Sequence, residues 1–176
     1  PLSHPHNAAY VKLLADWKRQ AGNFAIWDYW KLYCDAYPTP FSNVHAIANL
    51  IKKYHDLNIN FLFSEMQPSD RNIPSFFDLR LYLAAKLMDD PTLNADAVID
   101  DFMRHFYGKA MPQMKEYLEY TEKRMLEMDG RFGGQGKMRD YLDAAFFRKA
   151  YALIGEAEKN ERDNPAILDN IAQEKL

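Results

Sequence analysis

Two carboxylates, Asp28 and Glu65, sit in or at the end of short, aromatic-rich apolar runs. Glu65 comes near the end of Ile59-Asn60-Phe61-Leu62-Phe63-Ser64-Glu65-Met66, and Asp28 lies within Phe24-Ala25-Ile26-Trp27-Asp28-Tyr29-Trp30. Runs of this kind, bounded by turn signals, read as buried strands. A charge at the end of a buried strand is costly unless it is paired or used. In α/β architectures that end of the strand is where binding and catalytic groups collect. Two carboxylates are the usual apparatus of glycoside hydrolysis, one as acid and one as nucleophile or base. Trp27, Tyr29, Trp30, Tyr33 and Tyr37 gather around the first run and the loop after it. Aromatic rings offer a flat, rigid surface with a polar edge, which suits the C–H faces of sugars. A plainer reading stands beside each of these. Glu65 is then a solvated strand end, Asp28 a structural acceptor, and the rings core and loop packing.

The remaining chemistry-bearing residues point nowhere so definite. His4-Pro5-His6 has the look of a metal pair, but a site needs three or four ligands with supporting groups, and no Cys/His set lies nearby. His45, His55 and His105 fall on helical patterns as surface or satisfied residues. Cys34 has no neighbouring base to activate it. The loop from Gly130 to Gly136 lacks the Gly-Lys-Ser/Thr ending of a phosphate loop and does not follow a strand, so it reads as a connection between helices. No cofactor is implied.

The elements that must position the two acids can be read in order. Residues 7–20 carry Ala8, Val11, Leu14, Ala15 and Trp17 at helical spacing, with Asn7 as N-cap and Gly22 beyond the end. The Trp27 run follows as a strand. Tyr37-Pro38-Thr39-Pro40 forbids a helix. Ser42 or Asn43 then caps a helix with an apolar face of Val44, Ile47, Ala48, Leu50, Ile51 and Tyr54. The Glu65 run is the second strand. Strand, crossover helix and strand make a parallel βαβ unit, which puts Trp27, Asp28, Tyr29 and Glu65 on one rim. After Pro74 the pattern turns helical. One helix starts at Ser75-Phe-Phe-Asp78, another at Asn94 or Asp96, and a long one has Pro112 at its first turn. Others run from about Met138 to Asn160 and from Asn164-Pro165 onward, with no further strand. The fold class is therefore α/β and helix-dominated.

Composition sets the outer bounds. The chain has 176 residues, 48% hydrophobic and 14% aromatic, enough to bury a core. Its formal charge is −3, and no long basic run offers the footprint of a nucleic-acid partner. No apolar stretch approaches the ~20 residues that span a bilayer, so no membrane partner is expected. One cysteine excludes an internal disulfide. The chain opens on Pro1-Leu2-Ser3-His4 without Met or a signal pattern, so a piece of a longer polypeptide is one expectation.

An ordered set of motifs carries a family resemblance. It runs Ser3-His4-Pro5, Asn7, Trp17, Ile26-Trp27-Asp28-Tyr29, Pro38-Thr39-Pro40-Phe41-Ser42-Asn43 and the strand ending on Glu65. It continues with Leu79-Arg80-Leu81-Tyr82-Leu83-Ala84-Ala85-Lys86-Leu87-Met88, Asp101-Phe102 and Phe106-Tyr107-Gly108-Lys109-Ala110. This resembles the C-terminal part of a glycoside-hydrolase-like family, catalogued as a domain of unknown function and frequent in polysaccharide-degrading bacteria. The chain departs from the family pattern at Asn58-Ile59-Asn60-Phe61, where a glycine-bearing strand is usual, and at Met88, where a Trp is usual.

The resemblance implies that residues 1–72 are the last βα units of a TIM-like barrel and that residues 73–176 form a helical domain. A whole barrel needs about 250 residues, so the remainder of the same polypeptide is an implied partner. It also implies an oligosaccharide or polysaccharide as ligand and an extracytoplasmic setting. Glu65 would sit on the catalytic rim, with Asp28 assisting. Trp27, Tyr29, Trp30, Tyr33 and His4 would contact the sugar. The alternative is a helical module that binds glycans or a partner domain without cleaving anything.

Overall fold

The computed structural model describes residues 2–31, 40–66, 75–127 and 140–175. Tyr33, Cys34, Tyr37 and the Gly130–Gly136 loop lie outside the described residues. The order is α1 (Ala8–Gln20), β1 (Ala25–Tyr29), α2 (Val44–Asp56), β2 (Phe61–Glu65), α3 (Phe77–Asp89), α4 (Ala95–Tyr107), α5 (Met111–Glu127), α6 (Ala144–Asn160) and α7 (Pro165–Ala172). This is a helix-dominated α/β chain. It divides into two compact units: of the described residues, 2–31, 43–66 and 78–98 form the first, and 40–42, 75–77, 99–127 and 140–175 the second.

The first unit holds α1, β1, α2, β2 and most of α3. The strands pair in parallel, with Ala25 opposite Phe61, Trp27 opposite Phe63 and Tyr29 opposite Glu65. The expected βαβ unit is therefore present. Leu14 of α1, Ile26 of β1 and Tyr54 of α2 form a buried cluster, and Leu50, Leu57, Ile59 and Leu62 pack around it. Side chains alternate between the two faces of a strand. Ile26 and Leu62 thus mark the covered face, and the odd-numbered positions point away from it.

The turn from α2 into β2 has a physical cause that can be named. Asn58 adopts a left-handed φ of 52°. Its N–H donates to the His55 carbonyl at 2.7 Å, and the Ile59 N–H donates to the Tyr54 carbonyl at 3.0 Å. These two bonds close the helix as a Schellman motif, with Ile59 folded back onto the core. Glycine takes that conformation at least cost, and Asn is the side chain that tolerates it best. The run Asn58-Ile59-Asn60 therefore keeps the turn that aims β2 even though it has no glycine.

The second unit is helical. α5 packs on α6, and α6 on α7. Its buried positions recur at helical spacing, with Met114, Tyr117, Leu118, Thr121 and Met125 on α5 and Phe146, Ala150, Leu153, Ile154 and Ala157 on α6. The Asp143 side chain accepts from the Phe146 N–H at 2.8 Å, so α6 starts at Ala144, later than the periodicity alone suggests. Asn164 and Pro165 open α7 as expected. Glu174, near the end of the chain, accepts from the Phe76 N–H at 2.7 Å. No helix among the described residues is long and apolar enough to cross a membrane.

Candidate functional site

The C-terminal ends of β1 and β2 bring Trp27, Tyr29 and Glu65 onto one face. The Trp27 indole Nε1–H donates to Glu65 Oε1 at 2.9 Å. The Trp27 ring lies edge-on to Phe63, with ring centres 4.9 Å apart. The Trp30 backbone N–H donates to the Glu65 carbonyl at 3.1 Å. Glu65 is thus held through both its backbone and its side chain.

This face is open. Trp27 is 63% exposed, Phe61 61%, Tyr29 57% and Phe63 43%. The sequence reads both runs as buried strands, and the structure corrects that for this face. Among the described residues helices cover the Ile26/Leu62 face, and the opposite face carries four large rings and one carboxylate. The rings can stack on an apolar surface, and the carboxylate can accept hydrogen bonds or a proton.

Asp28 belongs to the other face, because it alternates with Trp27 and Tyr29. Its Oδ2 accepts from the Tyr54 hydroxyl at 3.0 Å, and its Oδ1 accepts from the Tyr29 backbone N–H at 2.8 Å. The Tyr10 and Tyr54 hydroxyls lie 3.3 Å apart. Burial pushes the Tyr54 phenol far above its ordinary range, and the bond with Tyr10 and the Asp28 charge push it further the same way. Tyr54 therefore stays a neutral donor. The two carboxylates share a strand pair but not a face, so the fold does not bring them together around one bond.

The other residues singled out from the sequence are placed as follows. Trp30 is 1% exposed, its ring in the core and not on the rim. Its carbonyl accepts from Asn43 Nδ2 at 3.3 Å. His4 caps the short 3-10 turn Pro5–Asn7 through its Nδ1, which accepts from the His6 N–H, and its ring stacks on that of His6 at 4.9 Å. Tyr33 lies outside the described residues. Among the described residues no group of three or more His, Cys, Asp or Glu side chains could hold a metal ion.

Sequence reasoning missed Tyr10 and Tyr54. The sequence puts Tyr54 on the apolar face of its helix, where the structure buries it. A buried phenol also needs a hydrogen-bond partner, and that requirement was the available signal. Asp28, one element away, supplies the partner.

The fold and this site define a helix-rich α/β protein built on an open parallel strand pair. The chain belongs to the family described as a domain of unknown function, DUF4838, whose model matches residues 1–119. The match takes in both strands and every residue of the site. No curated protein and no solved structure matches the chain.

Proposed function

We propose that the chain is a segment of a glycoside-hydrolase-like protein that acts on complex carbohydrate, with Glu65 at the sugar site. The observation that carries this reading is the 2.9 Å bond from Trp27 to Glu65, on a face that also exposes Tyr29. The indole holds the carboxylate at the strand end, and the rings beside it suit the C–H face of a sugar. In this proposal β1 and β2 are the last strands of a TIM-like barrel, and the remainder of the same polypeptide supplies the others. Parallel sheets are normally covered on both faces, and the open aromatic face here lacks its cover. Added strands would bury the Phe61 end and leave Trp27, Tyr29 and Glu65 at the rim. Asp28 then supports β1 from behind, and a second carboxylate comes from another strand.

The test is Glu65→Gln in the full-length protein, read as reducing ends released from a panel of polysaccharides. Turnover is expected to fall by roughly 10²–10⁴-fold. Unchanged turnover removes Glu65 from the mechanism.

A second reading, glycan binding without cleavage, is favoured by one observation. Neither strand carries a second carboxylate on the face that holds Glu65. A glycan that shifts the tryptophan fluorescence and is recovered intact would select this reading over the first.

A further inference from the structure

We propose that Tyr10, Tyr54 and Asp28 are positioning residues through which the helix layer sets the placement of Trp27, and through Trp27 that of Glu65, on the opposite face of the strand pair. The three groups join three elements in one chain of hydrogen bonds. Tyr10 on α1 meets Tyr54 on α2 at 3.3 Å, and Tyr54 donates to Asp28 on β1 at 3.0 Å. Asp28 sits between Trp27 and Tyr29, the two rings of the rim.

Its carboxylate does a second job there. The Trp30 N–H donates to Glu65 across the ladder. Backbone N–H groups alternate in direction along a strand, so the Tyr29 N–H points away from β2. Asp28 Oδ1 satisfies that outward N–H at 2.8 Å. One carboxylate thus meets the end of β1 on the edge away from β2 and on the helix side at once. A strand backbone is stiff, so fixing Asp28 fixes the direction in which Trp27 leaves the opposite face. Trp27 in turn reaches Glu65 through its indole N–H. Tyr54 is buried and stays protonated, so it anchors the chain as a donor at any working pH.

The purpose of this coupling rests on the carbohydrate reading above, but its test does not involve a sugar. Tryptophan in the full-length protein is labelled with ¹⁵N, and the Trp27 indole N–H is assigned by Trp27→Phe. Tyr54→Phe removes one hydroxyl and keeps the ring in the core. The expected result is a shifted Trp27 indole resonance with solvent exchange about fivefold faster, the loss of roughly one hydrogen bond's worth of protection. The Trp17 indole should stay where it is. Asp28→Ala should do the same or more, and Tyr10→Phe less. In a Glu65→Ala background, where Trp27 has no acceptor, Tyr54→Phe should add no further exchange. If Tyr54→Phe folds with its stability lowered but leaves the Trp27 signal and exchange unchanged, the network is packing only and the proposal falls. The same holds if the effect persists undiminished without Glu65. Should the indole respond while no glycan binds the protein, the coupling stands and the carbohydrate reading fails.

Discussion

The open strand face of the first unit and the core of the second use the same kind of residue in opposite ways. In the strand-containing unit, Trp27, Tyr29, Phe61 and Phe63 stand outward on an open sheet face. In the helical unit, Tyr107, Tyr117 and Phe146 are fully buried, and Tyr120 stacks on Phe146 with ring centres 5.4 Å apart. Helices close around a core by interdigitation, so each ring finds neighbours on several sides. A strand pair has two faces, and the helices of its own unit cover one. An aromatic ring is therefore stabilising where helices enclose it, as at Phe146 or at Trp30 and Tyr54 of the first unit, and available on the open face of β1 and β2. Aromatic content by itself does not separate core from binding surface, whereas coverage of the face does.

The largest expected effect breaks this contrast most directly. Phe146→Ala should destabilise the helical unit by about 3–5 kcal/mol, since a fully buried ring is lost and a cavity remains. Phe61→Ala, on the open face, should cost no more than about 0.5 kcal/mol. Urea unfolding of both variants measures the difference, and equal costs would mean that the open face is covered in solution. A smaller effect is expected at Gly108. It has a φ of 53°, and an added Cβ would lie 2.5 Å from Glu161 Oε1 and 2.6 Å from Ile167 Cδ1. Gly108→Ala should therefore cost about 2 kcal/mol, from the left-handed conformation and the clash together. A neutral result by thermal unfolding would show that Glu161 can move aside.

The smallest effect sharpens the comparison through pH. The Phe146 N–H and then the Arg124 guanidinium, 3.0 Å away, hold the Asp143 carboxyl below its ordinary value. A carboxyl lowered in the folded state contributes stability above its unfolded value, and that contribution disappears as the pH falls through it toward the folded value. Stability should thus drop on the acid side, below about pH 4. Asp143→Asn keeps a capping oxygen but cannot titrate, so its acid limb should be flatter. An identical slope in both proteins would take Asp143 out of the acid response.

Much of the architecture was legible because it is local. The spacing of Leu14 and its neighbours, the short aromatic run around Trp27, the cap at Asn164 and the Pro at position 112 are short-range signals. They yield the order of elements and the parallel βαβ unit. Glu65 at a strand end was legible for the same reason. The plain alternatives for the rings of β1 were not separable in advance, because that run is apolar on both faces. Alternation says that Ile26 and Trp27 point apart, but not which of them meets the helices.

What the sequence by itself determined is therefore the set of elements, their order, and the placing of Trp27, Tyr29 and Glu65 near one end of two strands. Tertiary structure alone decided that Asp28 turns toward Tyr54 and away from Glu65, that Trp30 is core, and that Glu174 reaches back to Phe76 from near the end of the chain. The physical reason is range. Propensity, capping and periodicity act over a few residues, whereas register, face coverage and the partner of a buried polar group depend on segments tens of residues apart. Those are settled only when the chain has closed on itself.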